Sequence, residues 1–199
     1  MAYTFKLPGV HSTKFQKKYM SLAKAIAQDN DACYSRKLGV VIVSPNHRVR
    51  GIGYNGPPRG TPHTDDESYL DKYFWPMLTD DDIGSLGLMY GITDPEIIKK
   101  KFIEQYKDQQ RCPRQILGCK SGERSLLCSC VHAEANAIAN SDDVTNCVMY
   151  CSTPIPCLQC TGLIINSGII EVHCYNDIYH EQSMWLFKKS NVLVFTYEV

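Results

Sequence analysis

Two short motifs carry the residue types of a metal centre, VHAEANAI at residues 131–138 and PCLQC at residues 156–160. Cys157 and Cys160 are three residues apart, so both lie on one face of a helix that begins there. Thiolates near the start of a helix are stabilised by the helix dipole. Together with the imidazole of His132 they suit zinc and leave its fourth tetrahedral position for water. That open position is typical of a catalytic site, because a structural zinc normally has a fourth protein ligand.

Glu134 is the candidate for moving protons at this site. It follows His132 by two residues, a spacing that faces opposite sides of a regular helix, so both can approach one metal only if His132 lies at the very start of the helix. Zinc lowers the pKa of a bound water towards neutrality, and a carboxylate can accept that proton as a base and return it as an acid. The combination H-x-E with P-C-x-x-C is the signature of zinc nucleobase deaminases. Alone, C-x-x-C would equally fit a structural zinc knuckle or a redox pair.

The elements that position these motifs alternate along the chain. Runs of β-branched residues between turn signals predict strands over residues 38–43, 48–56, 146–152, 169–175 and 191–195. Apolar residues at helical spacing predict helices over residues 15–26, 132–140, 157–168 and 180–189. Strands that alternate with helices predict an α/β layered sandwich.

The stretch from about residue 57 to 127 has a different character. Prolines at its start interrupt regular structure, and short polar and aromatic segments follow. Thr93 and Glu96 have the spacing of a capping box and predict the start of a helix. We interpret the stretch as a long, partly helical, cysteine-containing insertion within a single domain of residues 1–199, because it has too few apolar residues for a core of its own.

The balance of charged residues indicates which kind of molecule the protein binds. Lys and Arg number 21, as do Asp and Glu, so the formal net charge is zero. Proteins that grip long nucleic acids usually carry a net basic face, so the balance favours a small-molecule substrate. We find neither a secretory signal nor an apolar run long enough to span a bilayer, and therefore expect a cytoplasmic protein, of cellular or viral origin, without a membrane partner. In such a chain ten cysteines suggest metal ligation or buried thiols rather than disulfides.

The chain resembles the deoxycytidylate (dCMP) deaminase family of the cytidine deaminase superfamily. The resemblance rests on SRKLGVVIV (35–43), GIGYNGPPRG (51–60), HAEANAI (132–138), PCLQC (156–160) and DIYH (177–180). It implies a cytidine deaminase-like three-layer αβα sandwich with a five-stranded mixed sheet, and zinc-dependent deamination of dCMP to dUMP for thymidylate supply. Deamination of dCTP or 5-substituted dCMP stays open, because the insertion borders the active-site entrance in that fold. A nucleic-acid base deaminase and a catalytically silent zinc or nucleotide module are the remaining alternatives.

The resemblance also implies roles for residues outside the metal site. Asn55 would hydrogen-bond the sugar hydroxyl or the base edge, the backbone N–H of Ala133 would hold the cytosine carbonyl, and Tyr179 would lie near the base or phosphate. The family is typically a homohexamer regulated by dCTP and dTTP, which makes Gly56 and Arg59 effector-site candidates. Mg²⁺ would accompany a triphosphate effector.

A second, structural zinc is implied by some relatives. The matching positions are Cys33, His63 and Cys130, with Cys128 as the fourth ligand. A rival is a self-contained site made of Cys112, Cys119, Cys128 and Cys130. The third possibility, free thiols with an exposed histidine, needs no metal at all.

Overall fold

A computed structural model describes residues 13–62, 66–109, 111–120, 123–175 and 180–198. The chain divides into two compact units. The core unit comprises residues 1–31, 37–55 and 131–199, and the insertion unit comprises residues 32–36 and 56–130. Among the described residues, no helix combines the length and apolar character needed to cross a bilayer.

The core unit is built on one five-stranded sheet. Its strands are β1 (Gly39–Val43), β2 (Val49–Tyr54), β3 (Val148–Cys151), β4 (Glu171–Tyr175) and β5 (Leu193–Tyr197). The order across the sheet is β2-β1-β3-β4-β5. Strand β1 is antiparallel to both of its neighbours, whereas β3, β4 and β5 run parallel. The sheet is therefore mixed, as the resemblance implies.

Helices connect the strands and make up most of the insertion unit. They are α1 (Thr13–Gln28), α2 (Glu67–Tyr69), α3 (Asp80–Tyr90), α4 (Pro95–Gln109), α5 (Pro113–Ile116), α6 (Ala133–Ala139), α7 (Leu158–Asn166) and α8 (Glu181–Lys189). Helix α2 continues into a π-helical turn over Leu70–Phe74 and a 3-10 turn over Trp75–Met77, and a second 3-10 turn covers Ser125–Leu127.

Helices cover both faces of the sheet, which confirms the three-layer sandwich. Val41 and Val43 of β1 pack with Tyr19 and Ala23 of α1 on one face. On the other face, residues of β1, β3 and β4 pack with α6, α7 and α8. All five residues of β1 are consequently buried, as its unbroken apolar run predicted.

The insertion unit buries an apolar cluster of its own. Large side chains from several short elements form it, including Leu70, Phe74, Leu86, Ile98 and Phe102, each at most 2% exposed. The expectation that this stretch lacks the residues for a core is therefore wrong. The apolar residues are few in any one segment, but they converge from helices that are far apart in sequence.

The predicted capping box at Thr93 and Glu96 is also wrong. Helix α4 begins one residue later, at Pro95, and the Asp94 carboxylate accepts hydrogen bonds from the N–H groups of Glu96 and Ile97. Proline at the first helical position fixes the preceding residue as the cap. The reciprocal capping box of this unit lies instead at the start of α3.

Candidate metal centre

The starts of α6 and α7 bring the two motifs of the sequence together. His132 is the N-cap of α6, with extended backbone angles (φ −68°, ψ 152°), and Cys157 is the N-cap of α7 (φ −64°, ψ 165°). Cys160 lies one turn into α7, on the same side as Cys157. His132 is exposed, Cys157 half-buried and Cys160 buried, so the group lies at the edge of the core and opens to solvent.

The three side chains have the spacing of a tetrahedral metal site. His132 Nδ1 lies 3.4 Å from Cys157 Sγ and 3.5 Å from Cys160 Sγ. Bond lengths of about 2.3 Å to sulfur and about 2.0–2.1 Å to nitrogen put such ligands about 3.6 Å apart around tetrahedral zinc. Among the described residues, this is the one group of three or more His, Cys, Asp or Glu side chains whose ligand atoms all lie within 4.8 Å of one another. The donor set and the geometry both fit zinc.

The two thiols are electrostatically unequal. The Cys160 thiol donates to the Cys157 sulfur, which lowers the pKa of Cys157 to about 3, and His132 adds to the effect. The same hydrogen bond, together with burial, raises the pKa of Cys160. A bound dication favours the thiolate form of both cysteines, because metal binding releases the thiol protons.

Glu134 lies in the first turn of α6 and is only 4% exposed. Burial raises the pKa of its carboxyl group, against the opposing effects of its own backbone N–H and of His132. Burial also raises the pKa of the nearby thiols of Cys151 and Cys174, so both stay neutral beside it. A carboxyl group with a raised pKa can both take and give a proton near neutral pH.

Strand β2 packs on α6, the helix that begins after His132. A Cβ at Gly53 would lie 2.3 Å from the Ala133 carbonyl oxygen, so glycine permits the close approach. Asn136 Nδ2 donates to the Tyr54 carbonyl at 2.8 Å. Asn55 follows directly and is 7% exposed, which places it beside the helix that carries Glu134. Ala133, fully buried, is the first residue of α6.

Of the other predicted substrate, effector and zinc residues, some lie among the described residues and some do not. Gly56 is buried and Arg59 exposed, and both belong to the insertion unit. His63 and Tyr179 lie outside the described residues. Sequence reasoning missed Asn30, which bonds Asn55, because no local pattern marks a residue 25 positions away as its partner.

A second group of thiols lies within the insertion unit. Interactions with Cys128 and Cys33, together with burial, raise the pKa of the Cys130 thiol. The sulfurs of these three residues do not all lie within 4.8 Å of one another. The Cys130 thiol lowers the pKa of Cys128 to about 7, and the Cys130 backbone N–H lies 3.4 Å from Cys128 Sγ. Cys112 interacts electrostatically with Cys128 and Cys33, and burial raises the pKa of its thiol. Cys119, the remaining member of the rival set, acts on Arg124 instead.

Several known proteins are similar to this chain in sequence. A family model described as the cytidine and deoxycytidylate deaminase zinc-binding region matches residues 13–176. Deoxycytidylate deaminase of Saccharomyces cerevisiae is 31% identical over 183 residues, which are 88% of this chain and 42% of that enzyme. Deoxycytidylate deaminase of Mycobacterium phage D29 is 29% identical over 161 residues, 77% of this chain and 88% of the phage enzyme. The chain thus spans less than half the length of the yeast relative and most of the phage relative.

The fold also matches solved structures. The dCMP deaminase of the cyanophage S-TIM5, in apo form, superposes with a TM-score of 0.55 at 17% identity, over 94% of this chain and 100% of that chain. The same phage enzyme in complex with dCMP and dUMP gives the same TM-score. At this identity the likeness shows a common fold.

Proposed function

Since the chain belongs to the cytidine and deoxycytidylate deaminase zinc-binding family, we propose that it catalyses the zinc-dependent hydrolytic deamination of dCMP to dUMP. The observation that carries the proposal is the convergence of His132 Nδ1 with the sulfurs of Cys157 and Cys160, beside the buried Glu134. The names of the yeast and phage relatives favour dCMP among cytosine nucleotides.

Each residue of the centre has a proposed task. His132, Cys157 and Cys160 hold the zinc, which when bound supplies a Lewis acid that makes water nucleophilic at neutral pH. Glu134 accepts the proton that the attacking water loses and passes it to N3 of the cytosine. It then takes the remaining proton from the hydroxyl group added at C4 and gives it to the amino group, which leaves as ammonia. The helix-start N–H of Ala133 holds the cytosine carbonyl, because the first N–H groups of a helix have no partner within it.

Three further groups complete the proposed substrate and effector sites. Asn55 contacts the nucleotide from the end of β2, and Tyr179 lies near the base or phosphate. Gly56 and Arg59 contribute to a dCTP or dTTP effector site with Mg²⁺, in a homohexamer that acts on cytoplasmic nucleotides. Arg59→Ala should then abolish any response of the rate to dCTP without changing the rate in its absence. Sedimentation velocity with and without dCTP measures the assembly.

The substrate assignment is tested by ammonia release from dCMP, cytidine, dCTP, 5-substituted dCMP and a cytosine-containing oligonucleotide. We expect the highest kcat/KM with dCMP. A higher value for another nucleotide reassigns the substrate, a higher value for the oligonucleotide favours a nucleic-acid deaminase, and nucleotide binding without ammonia release favours a silent module.

The role of Glu134 is tested by Glu134→Gln, which keeps the shape of the side chain and removes the proton acceptor. We expect unchanged zinc content and turnover lower by about 10²–10⁴-fold. Glu96→Gln, at an exposed position of α4, is the matched control and should retain full turnover. Full activity of Glu134→Gln would contradict the proposed mechanism.

We further propose that the insertion unit binds a structural zinc through Cys33, His63, Cys128 and Cys130, the ligand set that the resemblance implies. The Cys130 backbone N–H donates to Cys128 Sγ at 3.4 Å, and Cys33 contributes to the raised pKa of Cys130, although the three sulfurs do not all lie within 4.8 Å of one another. Cys112, which belongs to the rival set of Cys112, Cys119, Cys128 and Cys130, is the alternative to His63 as the fourth ligand, since it interacts electrostatically with Cys33 and Cys128. A zinc here would add to the stability that the buried apolar cluster of this unit provides.

Zinc content measured by mass spectrometry tests this second site. We expect two zinc ions per chain in the wild type and one in Cys130→Ser, with Cys112→Ser and His63→Ala identifying the fourth ligand. Cys119→Ser is the control that separates the two proposed ligand sets and should retain both ions. A single zinc ion in the wild type would refute the second site and leave the catalytic site unaffected.

A further inference from the structure

A buried pair of asparagines lies where β2 ends. Asn30 and Asn55 are 3% and 7% exposed. Asn30 Nδ2 lies 2.9 Å from Asn55 Oδ1 and 3.0 Å from the Asn55 backbone oxygen. The Leu38 backbone N–H donates to the same Oδ1 at 2.9 Å. Two donors from different parts of the core unit thus converge on one side-chain oxygen.

Backbone groups fix the orientation of both amides. A backbone N–H can only donate, so the Asn55 side-chain atom that faces Leu38 must be the oxygen. A backbone carbonyl can only accept, so the Asn30 atom that faces the Asn55 carbonyl must be the nitrogen. The usual uncertainty about amide flips is therefore removed for both residues. Because Oδ1 is bound by the chain, Asn55 can meet a ligand only as an N–H donor.

The backbone that leads to Asn55 is held against α6, the helix that carries Glu134. Gly53 packs on the backbone of Ala133 and Ala137, and the Tyr54 carbonyl accepts from Asn136 of α6. Asn55 is the next residue along the chain. Any rotation of its amide therefore occurs beside the helix start that carries Glu134, while the backbone on which it stands stays fixed.

We propose that Asn30 is a positioning residue that, with the Leu38 N–H, holds the Asn55 amide so that its Nδ2 donates to an acceptor oxygen of the nucleotide. This inference rests on the proposed function and deepens it. Without Asn30, one of the two hydrogen bonds to Oδ1 is lost and the amide turns more easily to present its oxygen. An acceptor oxygen on the substrate would then face another acceptor.

Steady-state kinetics of the full chain with dCMP test the proposal. In Asn30→Ala we expect KM to rise about tenfold with kcat within about threefold of the wild type, as for loss of uniform binding. Asn30→Asp should raise KM further, because a carboxylate replaces the donor opposite two acceptor oxygens. Ser44→Ala is the matched control, since Ser44 is also buried and hydrogen-bonded but lies at the other end of β1. It should lower stability without changing KM.

A double-mutant cycle separates positioning from general loss of stability. In an Asn55→Ala background, Asn30→Ala should cause no further rise in KM, because the amide that it positions is gone. Equal rises in KM in both backgrounds, or a KM for Asn30→Ala that matches that of Ser44→Ala, would overturn the proposal.

A second measurement does not depend on turnover. If the wild type releases no ammonia from dCMP, the proposed function fails, but the side-chain ¹⁵N–¹H resonances of Asn55 still report its orientation. We expect one sharp pair in the wild type, shifted and broadened in Asn30→Ala but not in Ser44→Ala. Unchanged Asn55 resonances in Asn30→Ala would refute the positioning role whatever the substrate.

Discussion

A single methyl group at Gly53 should disable the metal centre from outside it. In Gly53→Ala the new Cβ would lie 2.3 Å from the Ala133 carbonyl oxygen, 2.3 Å from the Ala137 nitrogen and 2.8 Å from the Ala137 Cα. These are backbone atoms of α6, so no side chain can swing aside. An ordinary contact at about 3.5 Å requires the strand and the helix to separate by about 1 Å.

Two quantities follow from that displacement. Overpacking typically costs about 1–3 kcal/mol, and we expect the upper end here because both partners are backbone. Ala133 lies between His132 and Glu134, so the shift also moves the proton-transfer group relative to the ligands. Misplacement by about 1 Å can cost about 100-fold in rate, and we expect kcat to fall by that factor.

Gly162→Ala is the matched control for this substitution. Gly162 lies inside α7, and a Cβ there meets nothing within 4 Å. Removing a helical glycine should raise the free energy of unfolding by about 0.5–1 kcal/mol and leave turnover unchanged. Urea unfolding, zinc content and dCMP turnover are measured for both variants. A Gly53→Ala protein with wild-type stability and full turnover would refute the packing argument.

Three further predictions concern a buried hydrogen bond, pH and metal. His173→Ala removes the imidazole that lies 2.5 Å from the fully buried carboxyl group of Glu171, and should lower the free energy of unfolding in urea by about 1–3 kcal/mol because a buried polar group loses a hydrogen bond. Arg124 lowers the pKa of Asp82 from 3.8 to about 2, so the pair stabilises the fold above the unfolded pKa and loses this effect as the pH falls from about 4 towards 2. Arg124→Met should therefore cost about 1 kcal/mol at pH 7, where solvent screens the pair, and almost nothing at pH 2 in urea titrations. Removal of zinc with a chelator should abolish ammonia release, and Zn²⁺ but not Mg²⁺ should restore it, because two thiolates favour the softer ion; recovery with Mg²⁺ would contradict the ligand assignment.

The core unit was largely predictable from its sequence because its elements satisfy local rules. The unbroken apolar run of β1 requires cover on both faces, and the structure supplies it. In β2, Gly51 and Gly53 are buried while Ile52 and Tyr54 are exposed. That alternation shows a strand whose inner face has no side chains of its own: Gly53 faces the backbone of α6, and Gly51 faces the Ala137 carbonyl and the Ser141 side chain.

The core of the insertion unit could not be predicted in this way. Phe74, Leu86 and Phe102 come from three different elements. No single segment of the sequence contains enough apolar residues to predict the cluster. Composition within a window measures local apolar content, whereas a core is a property of how helices converge. Local sequence patterns also could not identify Asn30, because its hydrogen-bond partner Asn55 is 25 residues away and only the tertiary structure brings the two together.

The sequence also could not predict those hydrogen-bond partners that depend on the register between neighbouring strands. His173 lies between Glu171 on its own strand and Tyr197 on β5, at 2.5 and 2.6 Å. The pairing of Tyr175 with Tyr197 and of His173 with Phe195 across β4 and β5 brings them together. A sequence with one strand shifted by a residue would have the same predicted elements and none of these bonds.

The two-residue spacing of His132 and Glu134 indicates that the proposed metal site is built from the first residues of helices rather than from one face of a helix. Residues two apart in a regular helix point about 200° from each other. His132 escapes this restriction because it is the extended N-cap of α6, and Cys157 occupies the same position on α7. At both sites the chain turns from extended to helical at the residue that faces the metal position. A search restricted to pairs three or four residues apart would find Cys157 and Cys160 but reject His132 and Glu134, although the N-cap geometry lets both of these side chains approach the proposed metal position.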